Sequence, residues 1–366
     1  MNSDNDLTEL KNYHKYIKPL NNLSNKNAVI PSLNQLKEYG YKGIEPILSN
    51  YSKVLYNGEH TTYAKQLCKT LNNNHNISKK GFSVITYNVH GWVTTCRKSH
   101  SGKHRNFNEF IDFFKNIDVD VLCLQEIKPI KEIVESNEIN MNVIEKDLNY
   151  KYLLSKMADI GYKYSFIIDG NPGKITQSDS QYFISHIGIF SKILMQNCKG
   201  FSVPGNRSFM ICEINNFTII NFHGEVSSNK TNKNLENNRL PLSGPYNNIL
   251  KLEINLILVY LAMNYSKNNI IFAGDFNYPY KTITKYTKYK RFKSISPENM
   301  YKDFLNYFHD TCDLDIQKRI TNFNAFTATD FIFANNSIKK TYIYESKILY
   351  TDLSDHYPVY CDFIPL

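Results

Sequence analysis

The sequence predicts an α/β fold of four layers, in which two mixed β-sheets pack face to face and helices cover their outer surfaces. Short apolar runs typical of buried strands alternate with stretches of helical periodicity from Gly81 onward. The chain has 366 residues, of which 42% are hydrophobic, so it can bury a large core. Charged or amide side chains adjoin the apolar runs, as expected where rigid strand ends hold polar groups at one edge.

Residues 1–78 form a region of different character. Apolar residues with helical spacing occur there in short pieces, which prolines and glycines interrupt. The polar segment 72–76 then predicts a linker. We therefore expect a small N-terminal helical extension over residues 1–78, followed by one large domain over residues 79–366.

The predicted elements of the large domain follow one another in order. Strands are expected at 82–88, 119–124, 181–190, 210–222 (two strands around an Asn215-Asn216 turn), 270–273, 331–333 and 357–360. Helices are expected at 107–117 and 250–265, where apolar residues recur every three or four positions. Lys251, Glu253 and Asn255 interrupt the longest apolar run, so this run predicts an amphipathic helix and not a membrane span.

The net charge is +9 and the isoelectric point about 8.9, a balance that suits a polyanionic partner. The excess is carried by lysine, while arginine is scarce and Asn, Ile, Tyr and Phe are abundant. An AT-rich genome encodes this mixture, so codon bias accounts for part of the charge.

Cysteine usage and the N-terminus bear on the compartment. The seven cysteines are scattered and form no CxxC pair, which predicts reduced core thiols and no zinc site. Residues 1–7 are polar and acidic and show no secretory signal. We expect an intracellular protein without a transmembrane segment.

The stretch 268–277 shows most clearly what the strand ends carry. Its apolar middle predicts a buried strand, and Asp275 and Asn277 follow Gly274. Strand alternation places these two side chains on the same side of the chain. A carboxylate and a carboxamide held together suit a metal-bound phosphate and the water that attacks it.

Comparable polar residues adjoin five other predicted strands. They are Asn88, Glu126, His223, Asp330 and the pair Asp355-His356. Each alone has an ordinary explanation, such as a turn residue, a helix-terminal carboxylate, a satisfied core histidine or a solvated loop. Their joint occurrence favours a functional site.

These segments, in this order, resemble the motifs of the endonuclease/exonuclease/phosphatase superfamily, which has the DNase I-like fold. The matching segments are Thr86-Tyr87-Asn88-Val89-His90-Gly91, Leu124-Gln125-Glu126, Asn221-Phe222-His223-Gly224-Glu225, Gly274-Asp275-Phe276-Asn277, Thr329-Asp330-Phe331-Ile332-Phe333 and Ser354-Asp355-His356. Each motif alone is weak, whereas six in the family's order over residues 82–366 are a strong signal.

The resemblance implies one Mg²⁺ ion, with Mn²⁺ as a substitute. Glu126 is then the leading ligand, and Asn88 and Asp355 lie close to the ion, in keeping with the preference of Mg²⁺ for oxygen ligands. His90 is expected to be structural or to lie behind the ligands. For Trp92 there are two interpretations, a core residue or a platform on which substrate stacks.

The resemblance also implies roles for the remaining residues. Asp275 orients or deprotonates the attacking water, and Asn277 donates to a phosphate oxygen. His223 and His356 donate to the oxygens that gain charge in the transition state, while Asp330 holds the imidazole of His356 in one tautomer.

Two features bear on the substrate. Abasic-site endonucleases of this superfamily usually have tyrosine and asparagine where this chain has His223, whereas DNase I, deadenylases and tyrosyl-DNA phosphodiesterases keep the histidine. The last group also has a glutamate two residues later, like Glu225 here. Residues 278–293 interleave lysines with aromatic residues, including Lys288, Tyr289, Lys290 and Arg291, a composition suited to nucleic acid. A lysine-rich solvated loop is the ordinary alternative.

Three functions are compatible with these observations. The first is an Mg²⁺-dependent nuclease or DNA-repair phosphodiesterase, with DNA favoured over RNA and no membrane partner. The second is a phosphatase acting on inositol phosphates or phosphoinositides. The third is an inactive binding module, which we rank last because no motif residue is missing.

Overall fold

The computed structural model describes residues 17–20, 77, 79–92, 107–128, 150–170, 186–203, 207–225, 249–277, 304–313, 319, 321–322, 328–351 and 353–366. The strands in this part of the chain are β1 Lys18–Leu20, β2 Phe82–Asn88, β3 Val121–Ile127, β4 Tyr164–Asp169, β5 His186–Ser191, β6 Met195–Val203, β7 Arg207–Ile214, β8 Phe217–His223, β9 Asn269–Asp275, β10 Phe308–Asp310, β11 Asp330–Asn335, β12 Tyr342–Ile348 and β13 Val359–Pro365. The α-helices are α1 Phe107–Ile117, α2 Lys151–Asp159, α3 Ile249–Asn264 and α4 Asn336–Lys339.

The strands form two mixed sheets. One has seven strands in the order β1-β6-β7-β8-β9-β11-β10, and the other has six in the order β12-β13-β2-β3-β5-β4. Among the described pairs, β8 with β9 and β2 with β3 are parallel, and the rest are antiparallel. Because parallel neighbours end at the same edge, these four strands bring their last residues together in pairs.

Side-chain burial reveals four layers. Between the sheets lies a core that includes Val84, Cys123, Ile219 and Ile271. A second core joins the six-stranded sheet to α1 and α2, and a third joins the seven-stranded sheet to α3. The predicted α/β sandwich of two mixed sheets with outer helices is therefore confirmed.

Helix α1 shows how residue spacing decides packing. Its buried residues are Phe107, Phe110, Ile111, Phe113, Phe114 and Ile117, which form one face of the helix. Three of these rings lie 5.7 to 6.4 Å from the ring of Tyr87 on β2. Burial of each phenylalanine contributes about 1.5–3 kcal/mol, so this stripe holds the helix on the sheet.

Helix α3 lies within one residue of its predicted bounds. No helix in the described part of the chain has both the length and the apolar character needed to cross a bilayer. Strand bounds are less well predicted. Strand β3 extends to Ile127 and β13 to Pro365, because strand ends carry polar residues that an apolar run does not include.

Several elements are not predicted by the sequence. Strands β4, β6, β10 and β12 and helix α2 all escape it. Strand β12, at the edge of its sheet, alternates half-buried and exposed residues and lacks an apolar run. Of the strand predicted at 181–190, residues 181–185 lie outside the described residues.

The N-terminal region contributes one described strand. Strand β1 pairs antiparallel with β6, with Lys18 opposite Ser202 and Leu20 opposite Gly200. The three residues of β1 are thus part of the seven-stranded sheet and are not helical. The predicted helical pieces lie outside the described residues, and the boundary near residue 78 stays a prediction.

The described cysteines carry free thiols. Cys123, Cys212, Cys312 and Cys361 are buried, and Cys198 is half-buried. Burial raises the pKa of Cys361 to about 12, so its thiol stays protonated. These five residues agree with the prediction of reduced thiols, most of them in the core, while Cys68 and Cys96 lie outside the described residues.

A buried histidine makes stability depend on pH. The Tyr150 hydroxyl hydrogen-bonds to Nδ1 of His186, the first residue of β5. Burial lowers the pKa of His186 to about 3 and raises that of Tyr150 well above its usual value. The folded state therefore keeps a neutral imidazole that accepts from a neutral phenol.

We predict that His186→Asn flattens the pH dependence of stability. Unfolded His186 binds a proton near pH 6.5, but folded His186 does so only near pH 3. The stability that the neutral ring contributes is thus complete above about pH 6.5 and is lost on acidification, by about 1.4 kcal/mol per pH unit. Urea unfolding at pH 7.5, 6.5, 5.5 and 4.5 measures this slope.

Asparagine keeps an acceptor near the Nδ1 position, and Tyr150→Phe is the matched control. That variant removes the hydrogen bond but leaves His186 buried, so the slope should persist. Equal slopes for wild type and His186→Asn would contradict the assignment.

Candidate active site

Three of the predicted site residues stand in one row across the seven-stranded sheet. His223 lies opposite Asp275 in the parallel pair β8–β9, and Asp275 lies opposite Asp330 in the antiparallel pair β9–β11. All three are buried. A Cβ on Gly274 would lie 2.1 Å from the Phe222 carbonyl oxygen, so only glycine allows β9 to run this close to β8.

A bulge at the end of β3 directs Glu126 out of the six-stranded sheet. The pairing of β3 with β5 shifts register between Leu124 and Ile127, and Glu126 has a φ of 55°. Leu124 and Ile127 both pack in the outer core, whereas Gln125 reaches the other sheet. Glu126 is thus the extra residue of the bulge, and its side chain stays 31% exposed.

Hydrogen bonds between the sheets fix the spacing of the strand ends. Asn88 Nδ2 donates to Asp275 Oδ2 at 2.9 Å, and Gln125 Nε2 donates to Asn221 Oδ1 at 2.7 Å. Asn221 Nδ2 donates in turn to the Leu124 carbonyl oxygen at 3.0 Å. Buried polar groups that are paired in this way resist rearrangement, because breaking them leaves donors unsatisfied.

His356 is held between two aspartates. Its Nδ1 lies 2.9 Å from Asp330 Oδ2, and its Nε2 lies 3.8 Å from Asp275 Oδ2 and 2.8 Å from Asn322 Nδ2. Burial alone would lower the pKa of His356, but Asp330 and Asp275 raise it well above its ordinary value. Burial, and then the charge of Asp330, raise the pKa of Asp275.

His223 approaches the same carboxylate from β8. Its Nε2 lies 3.7 Å from Asp275 Oδ2 and 3.8 Å from Glu126 Oε1. On the opposite side of the ring, its Nδ1 lies 3.4 Å from Nη1 of Arg207. Asp275 Oδ2 is therefore approached by two imidazoles and one amide.

His90 lies between two of the predicted metal ligands. Its Nδ1 lies 3.4 Å from Glu126 Oε2 and 3.5 Å from Asp355 Oδ1. Burial would lower the pKa of His90, but Asp355 and Glu126 raise it. Burial would likewise raise the pKa of Glu126, but His90, His223 and His356 hold it well below its usual value.

Trp92 belongs to the core. It is fully buried and packs edge-on against Phe107 and Phe110. Its Nε1 donates to the Lys128 carbonyl oxygen at 2.8 Å. A platform for stacking substrate bases needs an open ring face, so the question that the sequence left open is settled in favour of the core.

The predicted ligands suit a hard divalent cation. Glu126 and Asp355 converge on one point, the Nδ1 of His90. Asn88 Oδ1 accepts one hydrogen bond, from the His90 N–H at 3.0 Å, and a carbonyl oxygen has a second lone pair. Among the described residues the ion-pair partners of Glu126 are histidines. Such an oxygen-rich, negatively charged donor set is what Mg²⁺ or Mn²⁺ takes.

A second set of donors fits a metal less well. Ligand atoms of Asp275, Asp330 and His356 all lie within 4.8 Å of one another. A histidine ligand must offer a nitrogen lone pair, and the charges of Asp330 and Asp275 raise the pKa of the His356 ring, which favours the protonated form. Charge pairing accounts for this trio, and the oxygen donors around Glu126 fit a divalent cation better.

Asn277 closes the turn after β9. It has a φ of 49°, so the strand alternation that predicted a shared side with Asp275 does not extend to it. Its backbone N–H donates to Asp275 Oδ1 at 2.8 Å, and its Nδ2 donates to the Gly224 carbonyl oxygen at 2.9 Å. The hydrogen bonds of this turn, and not strand alternation, hold Asn277 next to Asp275.

The structure brings together all eight predicted catalytic and metal-binding residues. The predicted substrate-binding residues Lys288, Tyr289, Lys290 and Arg291 lie outside the described residues.

The sequence predicts a structural or supporting role for His90, and it offers Arg207 and Arg239 as candidate active-site arginines without a motif to choose between them. The structure places His90 between Glu126 and Asp355 and Arg207 beside His223, whereas Arg239 lies outside the described residues. Two features of the sequence draw attention to these residues: a glycine follows His90, and arginine is rare in the chain. Neither feature predicts the contact of His90 with Glu126 or that of Arg207 with His223.

The comparisons with known proteins bear on the fold. No protein-family model and no curated protein matches the sequence. An endonuclease/exonuclease/phosphatase protein from Beutenbergia cavernae DSM 12333 is similar in structure, with a TM-score of 0.51 and 13% identity over 78% of this chain and 72% of that one. An AP endonuclease from Archaeoglobus fulgidus and an endonuclease/exonuclease/phosphatase family protein from Leptotrichia buccalis C-1013-b each have a TM-score of 0.48 and 16% identity, over 77% of this chain and 99% of theirs.

The first likeness, together with the two packed sheets, establishes the fold that the motifs predict. The chain has the DNase I-like fold, which it shares with this endonuclease/exonuclease/phosphatase protein. At 13% identity the likeness speaks for the fold alone, since one fold supports many activities.

We predict that Mg²⁺ stabilises the wild type against heat and that Glu126→Gln removes most of this effect. A ligand present at 100 times its Kd adds about 2.7 kcal/mol, which for a chain of this length corresponds to a rise in Tm of roughly 3–5 °C. Scanning calorimetry with EDTA or with Mg²⁺ at constant ionic strength measures it. Glu345→Gln is the control, because this glutamate pairs with Lys80 at the surface. A shift that Glu126→Gln leaves intact would place the cation elsewhere.

Proposed function

We propose that the chain is a divalent-metal-dependent phosphodiester hydrolase that acts on nucleic acid, with Mg²⁺ as its ion and Mn²⁺ as a substitute. The observation that carries the proposal is the position of Asp275. Its Oδ2 lies 3.7 Å from Nε2 of His223 and 3.8 Å from Nε2 of His356, at a strand end that faces Glu126. A base between two hydrogen-bond donors is what attack of water on an anionic phosphate requires.

Glu126, Asp355 and Asn88 would hold the cation. A bound divalent cation neutralises charge on the phosphate and on the leaving oxygen. The exposure of Glu126 leaves room for water and substrate at this position, whereas Asp355 is mostly buried and fixed.

Asp275 would orient the attacking water and accept its proton. Burial and Asp330 raise its pKa, which makes it a stronger base than an exposed aspartate. Asn88 and the backbone N–H of Asn277 hold its two oxygens in place. The carboxylate therefore meets the water in a fixed orientation, which lowers the entropy lost on reaching the transition state.

His223, His356 and Asn277 would bind the phosphate oxygens. Asp330 engages Nδ1 of His356, and Nε2 lies towards Asp275 and the side-chain amide of Asn322. For Nε2 to donate to a phosphate, the Asn322 amide would present its oxygen to the ring, an orientation that a half-turn of the amide provides. Asn277 uses Nδ2 to bond the Gly224 carbonyl oxygen, and an amide has a second N–H that can reach a phosphate oxygen.

Nucleic acid is favoured over a small phosphate by charge and composition. The chain carries a net charge of +9. Residues 278–293, directly after Asn277, combine lysines with aromatic side chains. For inositol phosphates or phosphoinositides, the alternative substrates, no comparable feature is found in the sequence.

We predict Mg²⁺-dependent hydrolysis of a nucleic-acid substrate that Asp275→Asn reduces by at least about 10³-fold. The assay is one panel of plasmid DNA, abasic duplex, 5′-tyrosyl DNA, poly(A) RNA and inositol phosphates, each with Mg²⁺ and with EDTA. Asp159→Asn, at the exposed end of α2, is the matched control. Turnover of inositol phosphates alone would favour the phosphatase, and equal activity of Asp275→Asn would refute the catalytic assignment.

We predict that Lys288→Gln/Lys290→Gln weakens nucleic-acid binding without changing the chemistry. Loss of two phosphate contacts should raise KM several-fold and lower the salt dependence of binding by about 2 in log–log slope. Hydrolysis of bis(p-nitrophenyl) phosphate, which has no neighbouring phosphates for these lysines to bind, should stay the same.

Lys339→Gln/Lys340→Gln serves as the control for charge. These exposed lysines lie at α4, beyond the end of β11 opposite to Asp330. If both double variants change KM equally, total charge and not the 278–293 segment governs binding.

A further inference from the structure

A buried arginine stands directly behind His223. Arg207 is the first residue of β7, and only 9% of its side chain is exposed. Its Nε donates to Glu225 Oε2 at 3.2 Å, and its Nη1 lies 3.4 Å from His223 Nδ1. The guanidinium is thus shared between a carboxylate and an imidazole.

The sequence places these groups together through strand pairing. Ser208 lies opposite His223 in the antiparallel pair β7–β8, so Arg207 meets the end of β8. Glu225 is held in turn, because its backbone N–H donates to Glu253 Oε2 of α3 at 3.1 Å. Arg207 therefore has a fixed position, set by elements on both sides of it.

The chemistry of the guanidinium limits what His223 can do. Arginine has donors and no acceptor, so a ring nitrogen that faces it must offer a lone pair. That nitrogen is Nδ1, and the proton of the ring must then be on Nε2. Nε2 is the atom that lies 3.7 Å from Asp275 Oδ2 and 3.8 Å from Glu126 Oε1.

The other imidazole at this carboxylate has the opposite support. His356 presents Nδ1 to Asp330 Oδ2 at 2.9 Å, and a carboxylate accepts, so Nδ1 carries a proton there. One ring is backed by a cation and the other by an anion. The two histidines that flank Asp275 are consequently not interchangeable.

We propose that Arg207 is a positioning residue that fixes His223 in the tautomer with its proton on Nε2, and that Glu225 holds Arg207 for this purpose. His223 then presents an N–H to whatever oxygen lies between Asp275 and Glu126. That this oxygen belongs to a phosphate rests on the proposed function. The tautomer itself does not depend on it.

The direct test is long-range ¹H–¹⁵N NMR of the full chain labelled with ¹⁵N-histidine, in the presence of Mg²⁺. The His223 signals are assigned by their loss in His223→Gln. We expect Nδ1 to resonate as an unprotonated nitrogen and Nε2 as a protonated one. Arg207→Met keeps much of the apolar stem and removes the donors, so it should shift the ring towards a mixture of tautomers.

Arg207→Lys is the conservative variant and should retain the wild-type pattern, since its ammonium group also only donates. If thermal unfolding shows that Arg207→Met is not folded, the wild type and Arg207→Lys are used to test the proposal. A protonated Nδ1 in wild type, or in folded Arg207→Lys, overturns the proposal. An unchanged pattern in folded Arg207→Met overturns it as well.

Kinetics supply an independent readout. Arg207→Met should lower kcat by roughly 10–100-fold with little change in KM, and it should add almost nothing in a His223→Gln background. Full additivity of the two changes contradicts a role through His223. If no substrate is turned over while the NMR pattern holds, the proposed function fails and the tautomer assignment stands.

Discussion

The hydrogen bond from Asn88 to Asp275 joins the two sheets at the point where their functional strand ends meet. At 2.9 Å it links the last residue of β2 to the last residue of β9. A buried carboxylate without partners would be strongly destabilising, so the fold must surround Asp275 with donors. Asn88, the backbone of Asn277 and two imidazoles do so. The groups proposed to act in the reaction are therefore the same groups that compensate the burial of Asp275.

The charged residues behind the two imidazoles give His223 and His356 different protonation patterns beside Asp275. Asp330 stabilises positive charge on His356, whereas Arg207 leaves His223 to donate from Nε2. A symmetric arrangement, with a carboxylate behind both rings, would place more negative charge next to Asp275 and Glu126. In the asymmetric arrangement the buried carboxylate of Glu225 stands behind Arg207, which balances its charge and separates it from His223.

Much of this site could be predicted from the sequence, because short apolar runs define strand ends and each polar residue there is placed by the pleat. This reasoning works for His223, Asp275 and Asp330, which occupy one row across paired strands. It fails where long-range register decides. Strand β12 alternates without an apolar run, the bulge that directs Glu126 depends on pairing with β5, and the contact of Arg207 with His223 arises from the pairing of β7 with β8.

Four residues near the site have left-handed backbone conformations, which packing in the core must maintain. His90, Gly91 and Trp92 have φ values of 45°, 63° and 66°, and Glu126 has 55°. Non-glycine residues hold such values at a cost of about 1–3 kcal/mol each, so the surroundings must enforce them. Trp92 provides the enforcement: its ring is locked among phenylalanines, and its Nε1 is bonded to Lys128, two residues after Glu126. One buried tryptophan thus joins the turn that carries His90 to the bulge that carries Glu126, and hydrophobic packing fixes the distance between the two groups.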